Sequence, residues 1–260
     1  MGIVNLTPDS FSGDGLTGNV DRAISHARCQ FEAGSDILDI GAESSRPGAI
    51  PTPEDEELRR LLPVLREITT WGVPVSVDTY KPAVMRAALA AGATMINDIT
   101  GMSDPEALAA VAGSDCAVCV MHMKGEPGTM QQAPGYGDVV AEVGSFLRSA
   151  VARCREAGVA DDRLVIDPGF GFGKTLDHNL ALFRALTVAF GRDLPVLVGV
   201  SRKTMLGTIT GRPVDQRLAA SVVAALLAAQ KGAKILRVHD VAATRDALAV
   251  WAAIEQGSQQ

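Results

Sequence analysis

Val75-Ser76-Val77-Asp78, then Lys81-Pro82 opening a stretch that runs to Gly92, then Met95-Ile96-Asn97-Asp98, together spell one strand–helix–strand unit. The β-branched, apolar runs favour an extended chain on a packed sheet. Proline suits the first turn of a helix because its missing N–H would have no partner there, and glycine suits the residue past the end. Two strands joined through a helix run parallel. Both strands end on polar side chains, so chemistry gathers at one edge.

The same unit recurs in both directions. Upstream stand Ile3-Val4-Asn5 and Ile37-Leu38-Asp39. Downstream follow Val118 to His122, Leu164 to Asp167, Val196 to Ser201 and Ile235 to His239. Helical patterns separate them. Thr52-Pro53-Glu54-Asp55-Glu56 reads as a capped, acidic helix start placing Leu58, Leu61, Leu62, Leu65 and Ile68 on one face. Asp104-Pro105 opens a helix ending near Gly113, Asp138 to Gly158 is the longest, Asp215 precedes one stopping at Gly232, and Ala242 to Gln256 is the last. Eight such units predict an α/β fold, a (β/α)8 TIM barrel, as one domain over residues 1–260, with its active site at the carboxyl ends of the strands. The first strand begins at the second residue, so cover for the lower barrel layer is expected from a trimmed lead-in or another element; Gly257 to Gln260 should fray.

Composition narrows the function. The 260 residues are 47% hydrophobic and 21% charged with net charge −6, which suits a single soluble α/β domain and argues against a nucleic-acid or anionic-membrane surface. The most apolar helical stretch, Leu218 to Ala229, is too short to span a bilayer, and no signal sequence opens the chain, so a cytoplasmic protein is expected. Cys116 and Cys119 have C-x-x-C spacing, but positions three apart in a strand face opposite ways, so reduced structural thiols are expected and no disulfide. His26 and His178 read as surface residues on helices, and no His/Cys set supports zinc.

Two polar groupings carry the chemistry. Asp78, Asn97 and Asp167 end three strands and Lys203 follows a fourth, which suits a flat 2-amino-4-oxo heterocycle: adjacent N–H donors match one carboxylate, and its acceptors want an amide or ammonium. Asn5, Arg46, Arg237 and His239 lie at strands that become neighbours when the barrel closes. They suit a diphosphate, with Asn5 a neutral oxygen ligand for Mg2+. For Arg237 and His239, on one face of their strand, the alternative is a salt bridge to an inward carboxylate. Asp167-Pro-Gly-Phe-Gly-Phe-Gly-Lys174 fits neither a dinucleotide nor a Walker pattern; its glycines let backbone run close under a flat ligand, with Phe172 an aromatic face and Phe170 either core or pocket. Ser201 lacks a nucleophile-elbow context, and Lys203 reads as an ammonium donor. The stretches Leu6 to Asn19, with Phe11 at its middle, and Gly41 to Pro53 read as lids.

These strings, with Met1-Gly-Ile-Val-Asn-Leu-Thr-Pro-Asp-Ser-Phe-Ser12, Asp39-Ile-Gly-Ala-Glu-Ser-Ser-Arg-Pro-Gly48, Met121-His-Met123, Ser201-Arg-Lys203 and Arg237-Val-His-Asp240, resemble the dihydropteroate synthase family of pterin-binding barrels over essentially the whole chain. The resemblance implies that Asp78, Asn97, Asp167, Lys203, Met121, Phe172 and Gly199 hold a pterin, and that Asn5, Arg46, Arg237 and His239 hold its diphosphate, with Mg2+ at Asn5. It places p-aminobenzoate among Ser45, Arg46, Pro47, Phe172, Ser201 and Lys203, beneath the loop bearing Phe11. Asp78, Lys203, Arg237 and His239 are then the catalytic groups, and a homodimer is implied. Two departures concern the lid and inhibitor affinity: Ser12-Gly-Asp-Gly15 stands where Ser-Asp-Gly-Gly is usual, and Ser45 where Thr is common. The rivals are a methyltetrahydrofolate:corrinoid methyltransferase, which needs no diphosphate clamp, a pterin-binding scaffold without catalysis, and a phosphate-sugar isomerase or aldolase on the same fold.

Overall fold

Alternation of side chains along parallel strands builds a (β/α)8 barrel in the computed structural model, which describes residues 1–7, 20–44, 48–190 and 193–256. The strands are β1 (Gly2–Asn5), β2 (Leu38–Gly41), β3 (Val75–Asp78), β4 (Met95–Asp98), β5 (Ala117–Met121), β6 (Leu164–Asp167), β7 (Leu197–Val198) and β8 (Ile235–Leu236). The helices are α1 (Val20–Glu32), α2 (Glu54–Ile68), α3 (Pro82–Ala90), α4 (Pro105–Ala112), α5 (Val139–Glu156), α6 (Leu176–Ala189), α7 (Thr204–Thr210), α8 (Leu218–Gln230) and α9 (Val241–Gln256).

Strands β1 to β6 form one continuous parallel sheet, and β7 pairs with β8. Single bridges, Ile166 to Val196 and Gly2 to Val238, close the ring. The last two strands are much shorter than the sequence predicts. Regular pairing stops at Val198 and Leu236; beyond it the Arg237 N–H still bonds the Val198 carbonyl and Val238 pairs with Gly2, while the Arg237 side chain reaches Asp39 and Arg202 pairs with Asp240.

Helix boundaries follow their local signals, with one exception. Asp104 caps α4 and Asp138 caps α5 through bonds to backbone N–H groups. The start of α2 is not capped by Thr52: Pro53 occupies the cap without a side-chain bond, and the Thr52 carbonyl accepts from Lys81 instead. On α2, Leu61, Leu65 and Ile68 are buried with Val64, while Leu58 and Leu62 are half-buried. Leu6, at the predicted start of a lid, belongs to the core. His26 and His178 are half-buried rather than surface residues; His26 bonds the Ile3 carbonyl and His178 completes a capping box. The cysteines are free thiols, and Cys119 lies inside the barrel.

Candidate active site

Two-residue alternation turns one inward face from apolar to polar along the barrel axis. Met1, Met95, Cys119, Val165 and Leu197 cluster inside with Ile37, Ala117 and Ile235 as a floor. Two residues further along the same faces come Asp39, Asn97, Met121, Asp167, Gly199 and Arg237. Ser76 and Asp78 hold the matching positions on β3, Ser76 paired with Asp39 and Asp78 with Asn97. The inward set is therefore polar where the strands end, as the fold requires of an active site. Above it opens a cavity of about 680 Å³ whose lining includes Asn5, Asp78, Phe172, Ser201, Lys203 and His239.

The cations of this layer are already engaged. Arg237 donates from Nε to Asp39 Oδ2 at 2.6 Å and from Nη2 to Asp78 Oδ2 at 2.8 Å. The inward salt bridge, the alternative to an open anion clamp, is what this structure shows for Arg237. Burial opposes its charge, but Asp39 and Asp78 hold the guanidinium protonated above its usual range. Asp78 is pushed up to about 7 by burial, with Arg237 pulling it back and Asp39 adding to the rise. Lys203 donates to the Phe170 carbonyl at 2.6 Å, and its Nζ stands 4.7 Å from the centre of the Phe172 ring. Burial lowers the Lys203 ammonium to about 8 against the pull of Asp167, whose own carboxyl burial raises. Asn97 Oδ1, Asp39 Oδ1 and Ser76 Oγ are buried without a hydrogen-bond partner among the described residues. Buried acceptors left this way favour a ligand that carries donors.

A model of the family described as pterin binding enzyme matches residues 1–239. The chain is 47% identical over 251 residues to the dihydropteroate synthase of Escherichia coli K12, covering 96% of this chain and 89% of that one. It is 48% identical over 259 residues to that of Neisseria meningitidis serogroup C, covering 98% and 92%. The chain belongs to the dihydropteroate synthase family of pterin-binding enzymes.

Membership makes it a transferase. Solved structures of the family superpose closely. The Yersinia pestis enzyme, in complex with a sulfonamide drug, has a TM-score of 0.95 at 44% identity over 99% of this chain and 94% of that one. The Burkholderia cenocepacia enzyme, complexed with 7,8-dihydropteroate, gives 0.89 at 51% over 98% and 91%. The Xanthomonas albilineans enzyme with 4-aminobenzoic acid gives 0.92 at 51% over 99% and 93%.

The expected site residues of this family member divide into three groups. Asn5, Asp78, Phe172, Gly199, Ser201, Lys203, Arg237 and His239 line one cavity. Asn97, Met121 and Asp167 lie buried at the level of Asp78, on β4 to β6. Phe11, Ser45, Arg46 and Pro47 lie outside the described residues. Phe170 packs its ring in the core and also borders the cavity, where its carbonyl accepts from Lys203. Asp98 ends its strand without joining the site: it faces away from Asn97 and ties Thr100 and the Met102 N–H. His122, at the end of β5, is buried against Phe146, and burial with nearby Lys174 lowers it to about 3.

Two buried charged residues of this region received no role from the sequence. Asp39, which ends the second apolar run, is fully buried and is the first partner of Arg237. Lys174 is buried, lines the cavity and bonds four acceptors, and no local sequence signal separates it from a surface lysine.

Proposed function

We propose that this enzyme joins p-aminobenzoate to 6-hydroxymethyl-7,8-dihydropterin diphosphate, giving 7,8-dihydropteroate and diphosphate in folate biosynthesis. The observation that carries the reading is the inward row of Asp78, Asn97 and Asp167 at the strand ends, with Asp78 bonded to Arg237, Asp167 acting on the Lys203 charge, and both cations on the cavity wall. It is supported by family members solved with 7,8-dihydropteroate and with 4-aminobenzoic acid.

In this reading Asp78, Asn97 and Asp167 take the N–H edge of the pterin, Lys203 its acceptors, and Met121, Gly199 and Phe172 its faces. Arg237 spends two donors on Asp39 and Asp78 and offers its remaining N–H groups, with His239, Asn5 and Arg46, to the diphosphate. Ser201, in contact with the His239 ring nitrogen Nδ1 at 3.1 Å, joins Ser45, Arg46, Pro47, Phe172 and Lys203 around p-aminobenzoate under the Phe11 loop. Asn5 is half-buried on the cavity wall, and no group of three acidic, His or Cys side chains that could hold a metal ion stands among the described residues. Such a donor set fits Mg2+ held by one amide oxygen, with substrate oxygens and water completing its shell. When bound, the ion offsets charge on the diphosphate.

The reaction then needs no protein nucleophile. Arg237 and His239 stabilise charge gathering on the leaving group, and the bond to diphosphate breaks ahead of attack, an SN1-like substitution. Asp78 and Asp167, lifted toward their neutral forms by burial, are drawn back to carboxylates as positive charge spreads over the pterin. The aniline nitrogen of p-aminobenzoate is already neutral near pH 7, so positioning rather than base catalysis governs its attack.

The reading includes a single catalytic domain, a cytoplasmic enzyme, sulfonamide competition with p-aminobenzoate, and a homodimer. No helix among the described residues is long and apolar enough to cross a membrane. The dimer is supported by an apolar face: Val223 and Leu227 on α8 and Val250 and Ile254 on α9 are exposed at one-turn spacing. The test is diphosphate release by the purified enzyme. Release is expected to require both p-aminobenzoate and Mg2+; release that ignores p-aminobenzoate overturns the assignment.

A further inference from the structure

Five successive carbonyls in the loop after β6 are each taken by a side-chain donor. Lys174 Nζ bonds the Gly169 and Phe172 carbonyls at 2.8 and 2.9 Å. Lys203 takes that of Phe170, Gln131 that of Gly171, and Tyr136 that of Gly173. The loop is also pressed along the exit of β5. A Cβ at Gly169 would lie 1.9 Å from the His122 carbonyl oxygen, one at Gly173 2.2 Å from that of Lys124, and both glycines have positive φ. Only glycine combines that conformation with so close an approach.

Lys174 joins the two segments. Besides its loop carbonyls, its Nζ reaches His122 Nδ1 at 2.9 Å and the His122 carbonyl at 3.3 Å. The residue is 3% exposed, and none of its described bonds goes to a carboxylate. Burial lowers the Lys174 ammonium to about 7 against the pull of Asp167, so its charged form depends on every neutral acceptor being held in place, and the group and its cage fix each other. The carbonyl that anchors Lys203 lies between the two that Lys174 grips.

We propose that Lys174 is a positioning residue: its ammonium pins the 168–174 loop to the end of β5, so that the Phe170 carbonyl and Phe172 ring set the Lys203 ammonium at the cavity. The catalytic consequence rests on the function proposed above; the loop's dependence on Lys174 does not.

The test uses Lys174→Met, which keeps the stem and removes the ammonium, and His122→Ala, which removes one acceptor and leaves the carbonyl bonds. Hydrogen exchange and steady-state kinetics are read on both, with pterin affinity measured by calorimetry. In Lys174→Met the amides of Gly169, Gly171 and Lys203 are expected to exchange at least tenfold faster, with β1 to β4 unchanged. The KM for p-aminobenzoate should rise at least tenfold, while affinity for the pterin ring, held mainly from the strands, shifts less than threefold. His122→Ala should fall between wild type and Lys174→Met in both readouts, and it carries the test by itself if Lys174→Met does not fold. Unchanged exchange at Lys203, uniformly faster exchange across the barrel, or equal losses for both substrates would overturn the proposal. If the wild type releases no p-aminobenzoate-dependent diphosphate, the functional reading fails, and the exchange pattern alone decides the role of Lys174.

Discussion

The acids and the cations of this site come from differently built parts of one barrel. Asp39, Asp78, Asn97 and Asp167 stand on strands of four residues inside a continuous six-stranded ladder. Lys203 and Arg237 follow β7 and β8, two-residue strands tied to the rest by single bridges. Side chains make up the difference. Arg237 grips Asp39 and Asp78, Arg202 pairs with Asp240 through two bonds, Ser221 Oγ takes the Arg202 N–H, and Ser201 meets His239. The cation-bearing sector is thus placed by charge and side-chain bonds, the acidic sector by its ladder.

Deletion of one group from each sector gives the largest expected effect. Lys203→Ala and Asp167→Ala should each lower kcat/KM by about 10³ or more while circular dichroism stays that of a folded barrel. Near-normal turnover in either would break the assignment of both sectors to one site. Next in size is Arg237→Met, which strands two carboxylates, one of them fully buried. It should destabilise the fold by about 3–5 kcal/mol in urea titration. Adding Asp39→Asn should recover part of that stability without restoring activity; if the single variant is as stable as wild type, charge pairing does not hold the sectors together.

The pH response separates the sectors further. Asp78, raised from 3.8 to about 7, binds more proton folded than unfolded between those values. Its contribution to stability therefore falls as pH rises from about 4 to about 7, and Asp78→Asn should flatten that part of a stability–pH curve. Activity should rise through about 7 as Asp78 ionises and fall above about 8 as Lys203 loses its proton. Leu227→Glu, on α8 between Lys203 and Arg237 in the chain, should give a monomer by sedimentation. The smallest effect belongs to Arg202→Ala: the pair with Asp240 is partly exposed, so about 1 kcal/mol is expected in stability.

Strand order and the polar strand ends were readable because both are local. Alternation at Val75 to Asp78 and Met95 to Asp98 fixes which side chains share a face, and Pro82, Pro105 and Asp138 mark helix starts wherever the chain goes. The lengths of β7 and β8 were not readable, because apolar runs such as Val196 to Val200 favour extension whether or not a neighbour pairs with them. What Asp98 does in place of joining the site was not readable: its bonds to Thr100 and the Met102 N–H depend on the turn that follows the strand.

By itself the chain determined an eight-unit barrel, the edge where its chemistry gathers and the residue types found there, since periodicity and side-chain chemistry act over a few neighbouring positions. Tertiary structure decided the partners. That Arg237 closes on Asp39 and Asp78 across 198 and 159 residues of sequence, and that Lys174 turns inward onto His122, depends on barrel closure bringing distant strands within a few ångströms. Such contacts follow from the register of the whole ring, which no local stretch of sequence encodes.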